Sequence, residues 1–157
     1  MTMRRAELGM AMFLIAEAVF FFLLILAFLY FRARANLNFQ AGLLDTGLLL
    51  ASSLSLWRAV AGSRLWLGVT IALGVAFLIG QGSQYLSLFR DGVTMSQGPF
   101  GTTFFTLTGA HGLHVLAGLV ALAMVPVSAI RTVALYWYFF AAVWLAIFLV
   151  VYVWGAV

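Results

Sequence analysis

Residues 104–115 read FFTLTGAHGLHV, and this stretch lies inside an apolar segment long enough to cross a lipid bilayer. Two histidines, His111 and His114, interrupt its hydrophobic side chains together with two threonines. Imidazole and hydroxyl groups are costly to place in hydrocarbon, so they must face protein, lipid headgroups or water. The stretch therefore predicts a membrane helix whose polar face packs away from the acyl chains.

The whole chain has the composition of a membrane protein. Of its 157 residues, 66% are hydrophobic and only 8% are charged, whereas a soluble domain carries about 25% charged residues. The absence of cysteine excludes a disulfide framework, a thiolate metal site and a cysteine nucleophile. All eight basic residues are arginines scattered between apolar runs, which does not fit a nucleic-acid-binding surface.

Five apolar segments near the length of about 20 residues that a bilayer requires predict an all-α, polytopic bundle forming one domain over residues 1–157. Segments of this length are helices, because strands of membrane barrels have roughly 10 alternating residues. The first segment is too long for the apolar region of a signal peptide and is interpreted as a retained span. The spans are expected at about residues 8–31, 43–61, 65–89, 102–130 and 134–155.

The arginines predict the orientation of the bundle. One side of the membrane would receive five of them, namely Arg4, Arg5, Arg58, Arg64 and Arg131. The other side would receive three, namely Arg32, Arg34 and Arg90. Cytoplasmic loops are richer in basic residues, so the N-terminus is predicted to be cytoplasmic.

Glu17 is the carboxylate that falls well inside a predicted span. Its neighbours one helical turn away are apolar, among them Phe13 and Phe21, and such a shell disfavours an unpaired charge. Two interpretations remain open: a proton-handling group, or a neutral acid that fixes helix packing. Asp45 lies near the start of the second span and is expected to be an interfacial residue.

His111 and His114 are three residues apart and share one helix face. Two imidazoles without a cysteine or a third histidine do not complete a tetrahedral zinc site, and ligands from one helix do not reach both sides of a haem. We therefore interpret His111, His114, Thr108 and Gln84 as structural polar groups on helix faces, and we expect no metal or cofactor on this chain. A bulky residue at Gly112, beside the histidines, is expected to disrupt packing.

Three segments in order resemble subunit III of the haem-copper oxidases, the cytochrome c oxidase subunit III family. Residues 101–115, GTTFFTLTGAHGLHV, resemble the most distinctive stretch of the family almost throughout. Residues 136–155 are similar to its aromatic last helix, and residues 9–21, GMAMFLIAEAVFF, to its helix with an intramembrane glutamate. The family form with seven helices has two more than this chain, which resembles the short bacterial form.

The resemblance implies a non-catalytic subunit in the bacterial plasma membrane. It would stabilise the catalytic subunit I, keep proton uptake running and bind phospholipids, while haem and copper lie on partner subunits. By the same resemblance, Glu17 would lie on the proton-uptake side, His111 and His114 would be structural, and Arg131 would contact a lipid headgroup.

Three positions depart from the family pattern. Tyr138 replaces a histidine, Ala141 an aspartate and Gln84 the usual glutamate, so a polar network around the last span is expected to be reduced or absent. The departures leave open a divergent branch, such as the accessory subunit of a quinol oxidase or of a nitric oxide reductase. From other classes, a small proton or solute transporter using Glu17 and a membrane cytochrome remain as alternatives.

Overall fold

In a computed structural model, described for residues 2–31, 37–96, 98–126 and 129–154, the chain forms five long helices. They are α1 (Thr2–Tyr30), α2 (Phe39–Val60), α3 (Arg64–Arg90), α4 (Pro99–Met124) and α5 (Ile130–Phe148). A π-helical turn, Leu149–Val153, extends α5. All five helices are long and apolar enough to cross a membrane, and the described residues contain no strand, which confirms the predicted fold class.

Local sequence signals explain where several helices begin and end. The side chain of Asn38 caps α2 by accepting a hydrogen bond from the Ala41 amide at 3.1 Å. Gly62, with a φ of +113°, makes the tight turn into α3. Pro99 is placed at the start of α4, where its missing N–H costs nothing.

The boundary between the last two helices differs from the prediction. The fourth span was expected to run to Ile130, but α4 ends at Met124 because Val125 adopts an extended backbone before Pro126. Ile130 instead begins α5, four residues earlier than the predicted start at residue 134. The predicted last residue, Gly155, lies outside the described part of the chain.

Helix α5 lies at the centre of the bundle. It packs against α1, α2 and α4, while α3 packs against α2 and α4. The fully buried side chains of Trp144 and Ile147 face this centre. Helix α1 packs chiefly against α4 and α5 and leaves most of its surface outside the bundle, so it forms one edge.

Candidate functional site

Glu17 and His114 meet across the contact between α1 and α4. His114 Nε2 lies 3.2 Å from Glu17 Oε2, and the two side chains are 23% and 18% exposed. The contact has the length of an ion pair, but Glu17 Oε2 accepts no well-aligned hydrogen bond from the described residues. The pair is therefore close and partly accessible at the surface of the bundle.

The second nitrogen of His114 fixes the protonation of its ring. Nδ1 lies 2.7 Å from the Ala110 carbonyl, and a carbonyl oxygen can only accept, so Nδ1 carries a proton. Nε2 then carries a second proton only if the ring is a cation. A hydrogen bond across this contact would therefore need one proton, carried either by Nε2 or by the Glu17 carboxyl.

Aromatic side chains enclose this pair. The Phe140 ring stacks on His114 with centroids 4.6 Å apart, and Phe21 meets it edge-on at 5.4 Å. The Tyr136 hydroxyl donates to the His114 carbonyl at 2.8 Å. Side chains from α1 and α5 therefore hold the imidazole in one orientation.

His111 lies deeper in the bundle than His114, with 0% of its surface exposed. Its Nε2 donates to the Phe140 carbonyl at 2.9 Å, and its Nδ1 has no partner among the described residues. The rings of Phe77 and Trp144 pack around it at centroid distances of 5.8 and 5.2 Å. His111 therefore joins α4 to α5 through a buried hydrogen bond.

Thr108, one turn before His111 on α4, connects to α3. Its hydroxyl donates to the Phe104 carbonyl at 2.8 Å and accepts from the Tyr85 hydroxyl at 2.6 Å. Within the described ranges, no group of three or more His, Cys, Asp or Glu side chains could hold a metal ion.

Gln84 belongs to a second polar cluster, which sequence analysis missed. The Asp45 carboxyl is only 3% exposed, and its Oδ2 accepts hydrogen bonds from Gln81 at 2.9 Å and Gln84 at 2.6 Å. The Tyr152 hydroxyl donates to Gln84 Oε1. Asp45 was expected near the start of its helix, but α2 begins at Phe39, which carries Asp45 past the first turn and against α3. We call these four residues the Asp45 cluster.

The last span has more polar contacts than expected. The indole of Trp137 donates to Ser52 at 3.1 Å, and that of Trp144 donates to Thr46 at 3.0 Å. A polar network around the last span is therefore not absent. At two of the three substituted positions it has no member, because the buried Tyr138 hydroxyl has no partner in the described structure and Ala141 is apolar, whereas Gln84 bonds Tyr152.

Arg131 lies apart from these groups. It occupies the first turn of α5, where its side chain is exposed. The structure thus brings Glu17 to His114, Thr108 to Tyr85, and Gln84 to Asp45, but it does not gather the predicted residues into one centre.

Comparison with known proteins gives consistent matches. The family model described as cytochrome c oxidase subunit III matches residues 35–156. The chain is 32% identical to cytochrome c oxidase subunit 3 of Corynebacterium diphtheriae, covering 93% of this chain and 86% of the relative. It is 33% identical to the Sus scrofa protein of the same name, covering 94% of this chain and 69% of that relative. It is also 36% identical to the cytochrome bo(3) ubiquinol oxidase subunit 3 of Pseudomonas aeruginosa, covering 73% of this chain and 64% of that relative.

Proposed function

Because this chain belongs to the cytochrome c oxidase subunit III family, we propose that it is the non-catalytic subunit III of a bacterial haem-copper terminal oxidase. In this role it lies in the plasma membrane against the catalytic subunit I, which carries the haem and copper. It stabilises that subunit, supports its proton uptake and binds phospholipid. Arg58, Arg64 and Arg131 are exposed at the end of α2, the start of α3 and the start of α5. Their positive charges are suited to lipid phosphates.

The family match carries this proposal, and the Glu17–His114 contact supports the part of it that concerns proton uptake. With one proton between them, the two groups would form either a neutral pair or a carboxylate beside an imidazolium, and the net charge would be zero in both forms. A pair of this kind can remain inside a helix bundle without an uncompensated charge. It can also change the position of its proton without changing its charge, which suits a group that tunes proton uptake by a neighbouring subunit.

Affinity purification of the tagged chain tests the assignment. We expect a haem-copper catalytic subunit to copurify in fixed stoichiometry, and the separated chain to show no haem absorption. Copurification with an unrelated complex would contradict the proposal, as would stoichiometric haem on the separated chain.

We expect Glu17→Gln to leave assembly intact but to shorten the working life of the oxidase several-fold. Glutamine preserves the size of the side chain, but it cannot exchange a proton with His114. The measurement is the number of turnovers before activity decays, with the exposed Glu7→Gln as the matched control. If Glu17→Gln inactivated no faster than the control, the acid would be purely structural.

The proposed orientation places the turn between α2 and α3 in the cytoplasm. Since the chain has no cysteine, single variants Ala61→Cys and Ser96→Cys can report the two sides. An impermeant maleimide applied to intact cells with a permeabilised outer envelope should label Ser96→Cys and spare Ala61→Cys. The reverse pattern would place the N-terminus outside.

A quinol-oxidising complex is the second candidate. It is favoured by the similarity to the Pseudomonas aeruginosa relative, which is named as a subunit of a ubiquinol oxidase. Steady-state assays of the purified complex distinguish the two, because only one of reduced cytochrome c and ubiquinol should support oxygen consumption.

A further inference from the structure

The Asp45 cluster lies outside the contacts used in the proposed function. We propose that the Asp45 carboxyl is a proton-binding site of this chain, separate from the Glu17–His114 pair and connected through Gln84 to water on the side where α2 begins.

The hydrogen bonds of the cluster have a fixed direction. The Tyr152 hydroxyl donates to Gln84 Oε1, which leaves the Gln84 amide to donate to Asp45 Oδ2. The Gln81 amide donates to the same oxygen. Asp45 therefore receives N–H donors, which stabilise a carboxylate, in a buried position, which favours the neutral acid. These opposing effects leave both protonation states accessible.

Among the described residues, no cationic side chain pairs with the Asp45 carboxyl. The ion pair in that part of the chain is Glu17–His114. The titratable groups that face the cluster are Tyr152 from the end of α5 and Tyr85 from α3. Both are phenols, which stay neutral when they are buried, so the carboxyl is the group of the cluster that can change its charge.

A cavity provides the route for the proton. It has a volume of about 250 Å³ and lies between the start of α2 and the end of α3. Five of its lining side chains are polar: Asn38, Ser83, Gln84, Ser87 and Asp91. A polar space of this size holds several water molecules. Gln84 lines the cavity and also bonds Asp45, so its side chain separates the two, and a rotation of that side chain would let cavity water reach the carboxyl and exchange its proton.

Asp45 and Gln84 meet across the contact between α2 and α3. The Asp45 Oδ2 lies 2.6 Å from the Gln84 amide nitrogen. A carboxyl group is therefore present at this contact, carried by α2 instead of α3. The geometry implies that exchanging the two groups, Asp45→Asn with Gln84→Glu, would preserve the site.

Infrared spectroscopy of the full-length chain in lipid nanodiscs tests the proposal. The chain has two aspartates, so Asp91→Asn leaves Asp45 as the only one. Aspartate labelled with 13C at its side-chain carboxyl then identifies the Asp45 band without changing Asp45. We expect this band to change with pH and to shift in deuterated water. A labelled band that responds to neither condition overturns the proposal.

Two further variants test the assignment and the route. In the Asp45→Asn/Gln84→Glu exchange, a pH-dependent band should appear with labelled glutamate. The Glu7→Gln/Glu17→Gln background makes the new residue the only glutamate of the chain. A cysteine at Ser87, blocked with a thiol reagent, should slow deuterium exchange at Asp45 at least several-fold, whereas blocked Ala61→Cys should not. Equal exchange rates in the two blocked variants would show that the cavity is not the route.

Discussion

Gly80→Ala lowers the free energy of unfolding of the chain by about 2 kcal/mol, since it leaves buried polar groups unpaired. A methyl group at position 80 would overlap Asp45 Oδ1, so the carboxyl must rotate away from Gln81 and Gln84. Thermal unfolding in detergent, followed by circular dichroism, measures the change. Gly80 is therefore expected to be the glycine that allows the Asp45 cluster to form.

Gly82→Ala is the matched control. Gly82 lies on the same helix, and a methyl group there would meet nothing within 4 Å. Alanine is the better helix former, so this variant should be neutral or slightly stabilising. In an Asp45→Ala background, Gly80→Ala should lose most of its cost because the clash is gone. An equal cost in both backgrounds would mean that Gly80 acts through some contact other than Asp45.

Trp144→Ala is expected to have the larger effect, a loss of about 3–5 kcal/mol, as found for large aromatic residues removed from well-packed interiors. Trp144 is fully buried at the centre of the bundle, where it packs edge-on against Phe77 at 4.8 Å and beside His111 at 5.2 Å. Its removal would leave a cavity where α2, α3, α4 and α5 meet. We expect this variant to unfold at a much lower temperature or to fail to accumulate in the membrane.

Two substitutions separate the causes of that loss. Trp144→Phe retains most of the volume but removes the indole donor to Thr46, so its cost should be about 1–2 kcal/mol. Trp57→Ala removes an indole that is 64% exposed and should be nearly neutral. If Trp144→Phe were as damaging as Trp144→Ala, the hydrogen bond rather than packing would dominate.

The helices could be predicted from the sequence because length and hydropathy act locally. Each apolar run is long enough to satisfy its backbone only as a spanning helix. The end of α4 was missed although the signal is also local, since Pro126 restricts the backbone of Val125. The predicted span overran it because valine, alanine and isoleucine keep the region apolar.

The polar contacts between helices were harder to predict. Asp45 and Gln84 are 39 residues apart, and nothing near either residue specifies the other. Single-sequence reasoning could place Glu17 and His114 on their helices, but not against each other. Gly112 shows the same limit: a bulky residue there was expected to disrupt packing, and a methyl group would reach only Leu78, at 4.0 Å. Positions with much closer neighbours, among them Gly80 and Gly74, depend on how the helices pair.

The π-helical turn at Leu149–Val153 determines which way the Tyr152 side chain faces. Its backbone bond from the Trp154 amide to the Leu149 carbonyl spans five residues, one more than an α-helix uses. The turn therefore accommodates an additional residue without displacing the helix before it. In a regular α-helix with one residue fewer, the side chain of Tyr152 would be rotated by about 100° about the axis. The additional residue in the π-helical turn thus rotates the Tyr152 side chain toward α3, where its hydroxyl reaches Gln84.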